Sequence, residues 1–114
     1  MKIIRVFAGD DGESHFEEVP FAEMQGIVDR VGPGDINVNR REAPNFSDYH
    51  QAPRRQYVVN LEGIAEFECA DGSKVQLEPG DILVAEDLSG HGHIARSPFA
   101  GMRTSLAVPL AEPN

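Results

Sequence analysis

RQYVVNLEGIAEFECADGSKVQLEPGDILVA, residues Arg55 to Ala85, is the stretch that decides the fold. Arg55 to Leu61 is β-branched and aromatic and predicts a strand. Glu62-Gly63 turns the chain. Ile64 to Cys69 follows, with Ala65, Phe67 and Cys69 at alternate positions and therefore on one face. Asp71-Gly72 is a two-residue hairpin signal, because a type I′ turn needs positive φ at both central positions. Lys74 to Leu77 returns, Pro79-Gly80-Asp81 turns again, and Ile82 to Ala85 is a near-continuous apolar strand. Turn signals about every ten residues between short apolar runs read as an all-β sandwich or barrel.

The pattern extends in both directions. Lys2 to Ala8 and Ser14 to Val19 predict two strands before a stretch, Pro20 to Val31, that holds either one helical turn or a loop. Ile36 to Arg41 alternates, with Ile36 and Val38 on one face and Asn37 and Asn39 on the other. Ala43 to Ser47 reads as a loop. His93 to Ser97 and Met102 to Val108 complete a set of about eight strands, the number at which a closed barrel or jelly roll has room for one small ligand. Met102, Leu106 and Val108 read as barrel packing.

The chain has 114 residues, which suits one domain over residues 1–114. Ten basic against 19 acidic residues give a net charge of −9. That balance argues against nucleic acid, whose binding needs cationic surface to displace counterions, and against docking on an anionic membrane. No apolar run approaches the roughly 20 residues of a membrane-spanning helix. The first apolar run meets Gly9-Asp10-Asp11 too soon for a signal peptide, so a cytoplasmic location is the expectation. The single Cys69 excludes an internal disulfide and reads as a small buried residue. There is no Gly-x-Ser-x-Gly elbow and no glycine-rich phosphate loop before a helix.

Two stretches resemble a known family. His50 to Gly63 is similar to the first motif of the cupins, in which two histidines two residues apart precede a Glu and then a Gly. Gly72 through Pro79-Gly80-Asp81 to Glu86-Asp87 and Gly90-His91-Gly92-His93 resembles their second motif. Gly12-Glu13-Ser14-His15-Phe16 together with Ala52-Pro53-Arg54-Arg55-Gln56 looks like a small subgroup of single-domain cupins, within the RmlC-like jelly-roll superfamily. The resemblance implies an all-β double-stranded β-helix, a jelly-roll barrel, with its motifs at about 50–63 and 72–93. It also implies a homodimer, with the strand Lys2 to Ala8 covering a partner's sheet edge.

Metal-binding cupins hold a divalent ion with both first-motif histidines, the Glu and the second-motif His. Here His50 and His93 match, Ala52 replaces the second His and Gln56 replaces the Glu. The resemblance therefore implies His50, Gln56 and His93 as a reduced set for Zn, Fe, Ni or Mn, to which His91 can add an imidazole. The same residues serve equally as hydrogen-bonded pocket groups without an ion. His50, Ala52, Arg54 and Gln56 share parity, so an unbroken strand would point them inward together. His50 and His93 are also the candidate catalytic acid and base, since a neutral imidazole near pH 7 can do either. Tyr49 can stack on a ligand, and Arg55 can clasp a carboxylate or phosphate. His91 stands at the pocket mouth. Glu86-Asp87 can supply a base or cap the loop. Two functions follow: an enzyme acting on a small polar molecule, carboxylated or not, by isomerase, lyase or metal-dependent oxygenase chemistry, or a barrel that binds such a molecule without turnover.

Overall fold

The computed structural model describes residues 1–112; residues 113–114 of the single expected domain lie outside the described residues. Eight strands form one curled, mixed sheet: β1 (Ile3–Ala8), β2 (Ser14–Glu18), β3 (Asn37–His50), β4 (Gln56–Glu62), β5 (Ala65–Glu68), β6 (Lys74–Leu77), β7 (Ile82–Glu86) and β8 (His93–Pro109). The order is β2-β1-β7-β4-β8-β5-β6, with β3 also on β8, and β1–β7 is its parallel pair. The fold is all-β and barrel-like.

Curling follows from β8. Its first half pairs with β5 and its second half with β4, while β3 runs beside it throughout. Between Gly101 and Ser97 three residues of β8 face the single Pro44 of β3. This bulge bends both strands and carries the sheet round on itself. Ala43 to Ser47, expected as a loop, thus lies inside β3, and the two expected strands 93–97 and 102–108 are one. The reason is pairing: each half of a long bent strand has its own neighbour, and the turn residues at the bend mark a kink instead of an end.

Two apolar layers hold the sheet. Ile4, Val6, Leu83, Ala85, Phe67 and Leu77 meet inside the curl. Ile3, Val19, Ile82, Val84 and Leu110 pack on the outer side, beneath Met24 and Ile27 of the short helix α1 (Met24–Val28). Both faces of β7 are therefore covered, which is why Ile82 to Ala85 reads as continuously apolar.

On β3, β4 and β8 the pleat runs the other way. Asn37, Asn39, Arg103, Ser105 and Gln56 line a cavity on the inner side of the curl, Asn37 and Asn39 at its exposed rim, and Ile36 and Val38 are exposed on the other side. Alternation then puts Met102, Leu106 and Val108 on the outer face, so the interior packing expected of them belongs to Ala107 and Val58.

The N-terminal strand also departs from expectation. β1 has β2 on one edge and β7 on the other, so within the chain it presents no open edge to a partner.

Candidate functional site

The β3–β8 ladder ends at the pair His50 and His93. Directly opposite residues of an antiparallel ladder share a face, and the two ring centroids are 4.8 Å apart, tilted by 55°. Gly92 makes the approach possible. Its φ of +82° lies in the left-handed region, and a Cβ there would collide with the His50 carbonyl. His93 is buried and His50 is exposed, so the pair spans the boundary between core and solvent.

Hydrogen bonds fix the tautomer of each ring. His93 Nδ1 lies 2.6 Å from Asp87 Oδ2, and His50 Nδ1 lies 2.8 Å from the Asp48 carbonyl oxygen. A carboxylate and a carbonyl only accept, so both Nδ1 atoms donate and both neutral rings carry their free lone pair on Nε2. Asp87 is fully buried. Its Oδ2 also accepts from Ser14 Oγ at 2.7 Å, and its Oδ1 has no partner among the described residues. Phe67 meets the His93 ring edge-on, with centroids 5.8 Å apart.

Phe67 also walls an interior cavity of about 290 Å³. Its polar lining is Asn37, Asn39, Gln56, Arg103 and Ser105; Val58, Leu83 and Ala85 are among its apolar residues. Arg103 Nε donates to Asn60 Oδ1 at 3.2 Å, while its Nη2 is buried without an acceptor among the described residues. Burial, and then the like charge of Arg41, draw the Arg103 guanidinium below the ordinary arginine value; it stays cationic at neutral pH.

The other expected site residues go elsewhere. Tyr49 stacks on His91 at 3.9 Å, and His91 Nδ1 donates to Glu13 Oε2 at 3.0 Å, a clasp joining the end of β3 to the loops before β2 and β8. Arg55 lines a larger cleft of about 730 Å³, but its guanidinium is closed by Glu86 and the Ala111 carbonyl. Burial pushes Glu86 up, and the hydrogen bonds from Arg5 and Arg55 outweigh it, holding the carboxyl below its ordinary value. The chain leaves the sheet between β3 and β4, so His50 and Gln56 stand on different strands. Gln56 and Ala52 both line the interior cavity, and the Gln56 amide oxygen accepts from Arg54 Nε at 2.9 Å.

As a metal set these residues fit poorly. Ala52 offers no donor, and the Gln56 oxygen is turned to a cation. Two imidazole nitrogens remain, and no group of three His, Cys, Asp or Glu side chains gathers among the described residues. The arrangement suits hydrogen bonding and proton transfer. Cys69 is buried; burial pushes its thiol up to about 11, which leaves it inert near neutral pH.

Sequence reasoning passed over Arg103, Asn60 and Ser14. Arg103 and Ser105 are polar residues alternating with Met102, Thr104 and Leu106, a pattern equally suited to an outward polar face.

No protein-family model and no curated protein matches this chain. Among solved structures it is similar to the crystal structure of protein NMB1881 from Neisseria meningitidis, at 16% identity, a TM-score of 0.50, and coverage of 72% of this chain and 80% of that one. The likeness is one of fold.

Proposed function

We propose that this chain is a small cupin-type jelly-roll barrel that binds a small polar molecule in its interior and exchanges protons with it through His50 and His93. The observation that carries this reading is the imidazole pair itself: two rings 4.8 Å apart, each held at Nδ1 by an acceptor, each with Nε2 free to take or give a proton. The buried Asp87 carboxylate steadies the imidazolium that His93 becomes on taking one, as carboxylate–imidazole pairs do. The chemistry this supports is isomerase- or lyase-type proton abstraction, which needs no ion. Neither histidine lines the interior cavity, but Phe67, which meets the His93 ring edge-on, is one of its walls, so a ligand there lies next to the pair.

Solvent deuterium exchange tests the reading. Small carboxylic acids with exchangeable carbon-bound hydrogens are incubated with the protein in D2O and followed by proton NMR. Exchange in the wild type that is lost in His93→Gln supports proton transfer. Binding without exchange leaves the alternative, a non-catalytic binding barrel.

For the partner, the proposal is a second copy of the chain. Ile36, Val38 and Phe46 are large apolar side chains left exposed on or beside β3, a face suited to meeting its like. Light scattering should return twice the chain mass, and Val38→Asp should return the mass of one chain.

A further inference from the structure

We infer that the interior cavity is a carboxylate site anchored by Arg103, and that its ligand is a small organic acid. This rests on the barrel interior being the binding site for a small polar molecule, and narrows that reading to one charge and one anchor.

Arg41 and Arg103 are register partners on β3 and β8. Like charges directly opposite destabilise a sheet. The chain has 19 carboxylates for 10 basic residues and uses them elsewhere: Arg40 pairs with Glu62, Arg96 with Glu66 and Glu68, and Arg5 and Arg55 share Glu86. Among the described residues neither Arg41 nor Arg103 has an ion-pair partner. An acidic protein thus keeps two register-paired arginines without a carboxylate. Both line a small pocket of about 40 Å³ with Asn39 and Ser105, and of the two Arg103 alone also lines the 290 Å³ cavity.

Arg103 is also held in place. Asn60, fully buried, accepts from Arg103 Nε, and its own amide nitrogen donates to the carbonyls of Gly63 and Leu77 at 2.7 and 3.1 Å. These bonds fix which way the amide faces, so its oxygen is always presented to Arg103. Asn60 is a positioning residue. The buried Arg103 Nη2 has no acceptor, and a buried cationic donor without one is costly unless a ligand supplies it.

Shape narrows the ligand class. A volume near 290 Å³ accommodates about ten non-hydrogen atoms at roughly 30 Å³ each, the share of a water molecule. The neutral polar groups and the Val58, Phe67 and Leu83 wall suit a short organic body carrying one carboxylate. A planar guanidinium matches a planar carboxylate in paired hydrogen bonds.

Calorimetric titration at pH 7 tests this, using butyrate, valerate and benzoate, the corresponding primary amides, and inorganic phosphate. At least one acid should bind with one-to-one stoichiometry, and its amide should bind at least tenfold more weakly. Arg103→Met should weaken the acid roughly a hundredfold, the size expected for a charge-assisted contact. Asn39→Asp, an exposed position beside Arg103, places a carboxylate within the seat and should weaken it at least tenfold with the fold intact. Should Arg103→Met not fold, Asn39→Asp and the Arg103 15Nε shift during wild-type titration decide. Equal binding of acid and amide, preference for phosphate, or unchanged affinity in Arg103→Met overturns the anchor and leaves interior binding standing. No binding by any acid, amide or phosphate overturns both.

Discussion

His50 and His93 close the β3–β8 ladder as directly opposed residues, their ring centroids 4.8 Å apart. One is exposed, and the other is buried against Asp87 and Phe67. The relationship comes from three sources: the pleat, which gives both side chains one face; Gly92, whose missing Cβ lets the loop pass the His50 carbonyl; and Asp87, which holds the inner ring.

Replacing Gly92 by Ala should therefore separate the pair. The residue would need a left-handed backbone and would clash with the His50 carbonyl. The expected loss of stability is about 2 kcal/mol or more, from the conformational penalty and the displaced backbone together. Urea denaturation measures it. Gly72→Ala, which has a similar φ of +88° but open space around it, should cost less, because only the conformational part applies.

Asp87 should set the His93 tautomer. Long-range 15N NMR of the wild type should show a protonated Nδ1 and a bare Nε2 on His93 in its neutral form. Asp87→Ala removes the acceptor of both His93 and Ser14, leaving two buried donors unpaired. It should cost about 3 kcal/mol in chemical denaturation, in line with two buried donors each losing an acceptor.

Stability at acidic pH should report Glu86. Its carboxyl lies below the ordinary value of 4.5 in the folded chain because of Arg5 and Arg55. A folded pKa below the unfolded one means that the unfolded chain binds protons first as pH falls. The contribution is fully present above about pH 4.5 and is lost as pH drops through the lower, folded value. Glu86→Gln should be less stable than wild type at pH 7, and the gap should narrow towards pH 3. A gap independent of pH would count against the ion pairs.

His15 behaves with the opposite sign. The hydrogen bond to Asp11 raises it above the ordinary histidine value of 6.5. Any stability it lends is present below pH 6.5 and fades as pH rises through the folded value. An NMR titration of the His15 ring should give a midpoint above that of His15 in Asp11→Asn.

Much of the fold was legible in residues 55–85. The turn residues Gly63, Gly72 and Gly80 all have positive φ, and Ala65, Phe67 and Cys69 share a buried face. Asp71 does not have positive φ, so Asp71-Gly72 is not the expected two-residue type I′ turn: the loop is Ala70-Asp71-Gly72, closed by Gly72 N–H to the Cys69 carbonyl and Cys69 N–H to the Ser73 carbonyl, with Gly72 alone left-handed. The bend in β3 and β8 was not legible, because Ala43-Pro44 and Pro98 to Gly101 carry the same residues as a chain-reversing loop. Only the neighbours on either side of the kink keep both halves in one strand.

In the site, the approach of His50 to His93 followed from the two motifs. The engagement of Arg55 by Glu86, and of His91 by Tyr49 and Glu13, depended on groups distant in sequence. Arg103 escaped notice because alternation reveals two faces and does not say which one is inside. On β3 and β8 the inner face is the polar one, the reverse of the usual arrangement in a core.

Titration of the His50 and His93 side-chain 15N resonances with the tightest-binding small carboxylate tests the central claim most directly. The account predicts that the Nε2 signals of both rings shift together and saturate at one ligand per chain, with the Nδ1 signals little changed. Saturable binding that leaves both rings unmoved would contradict it.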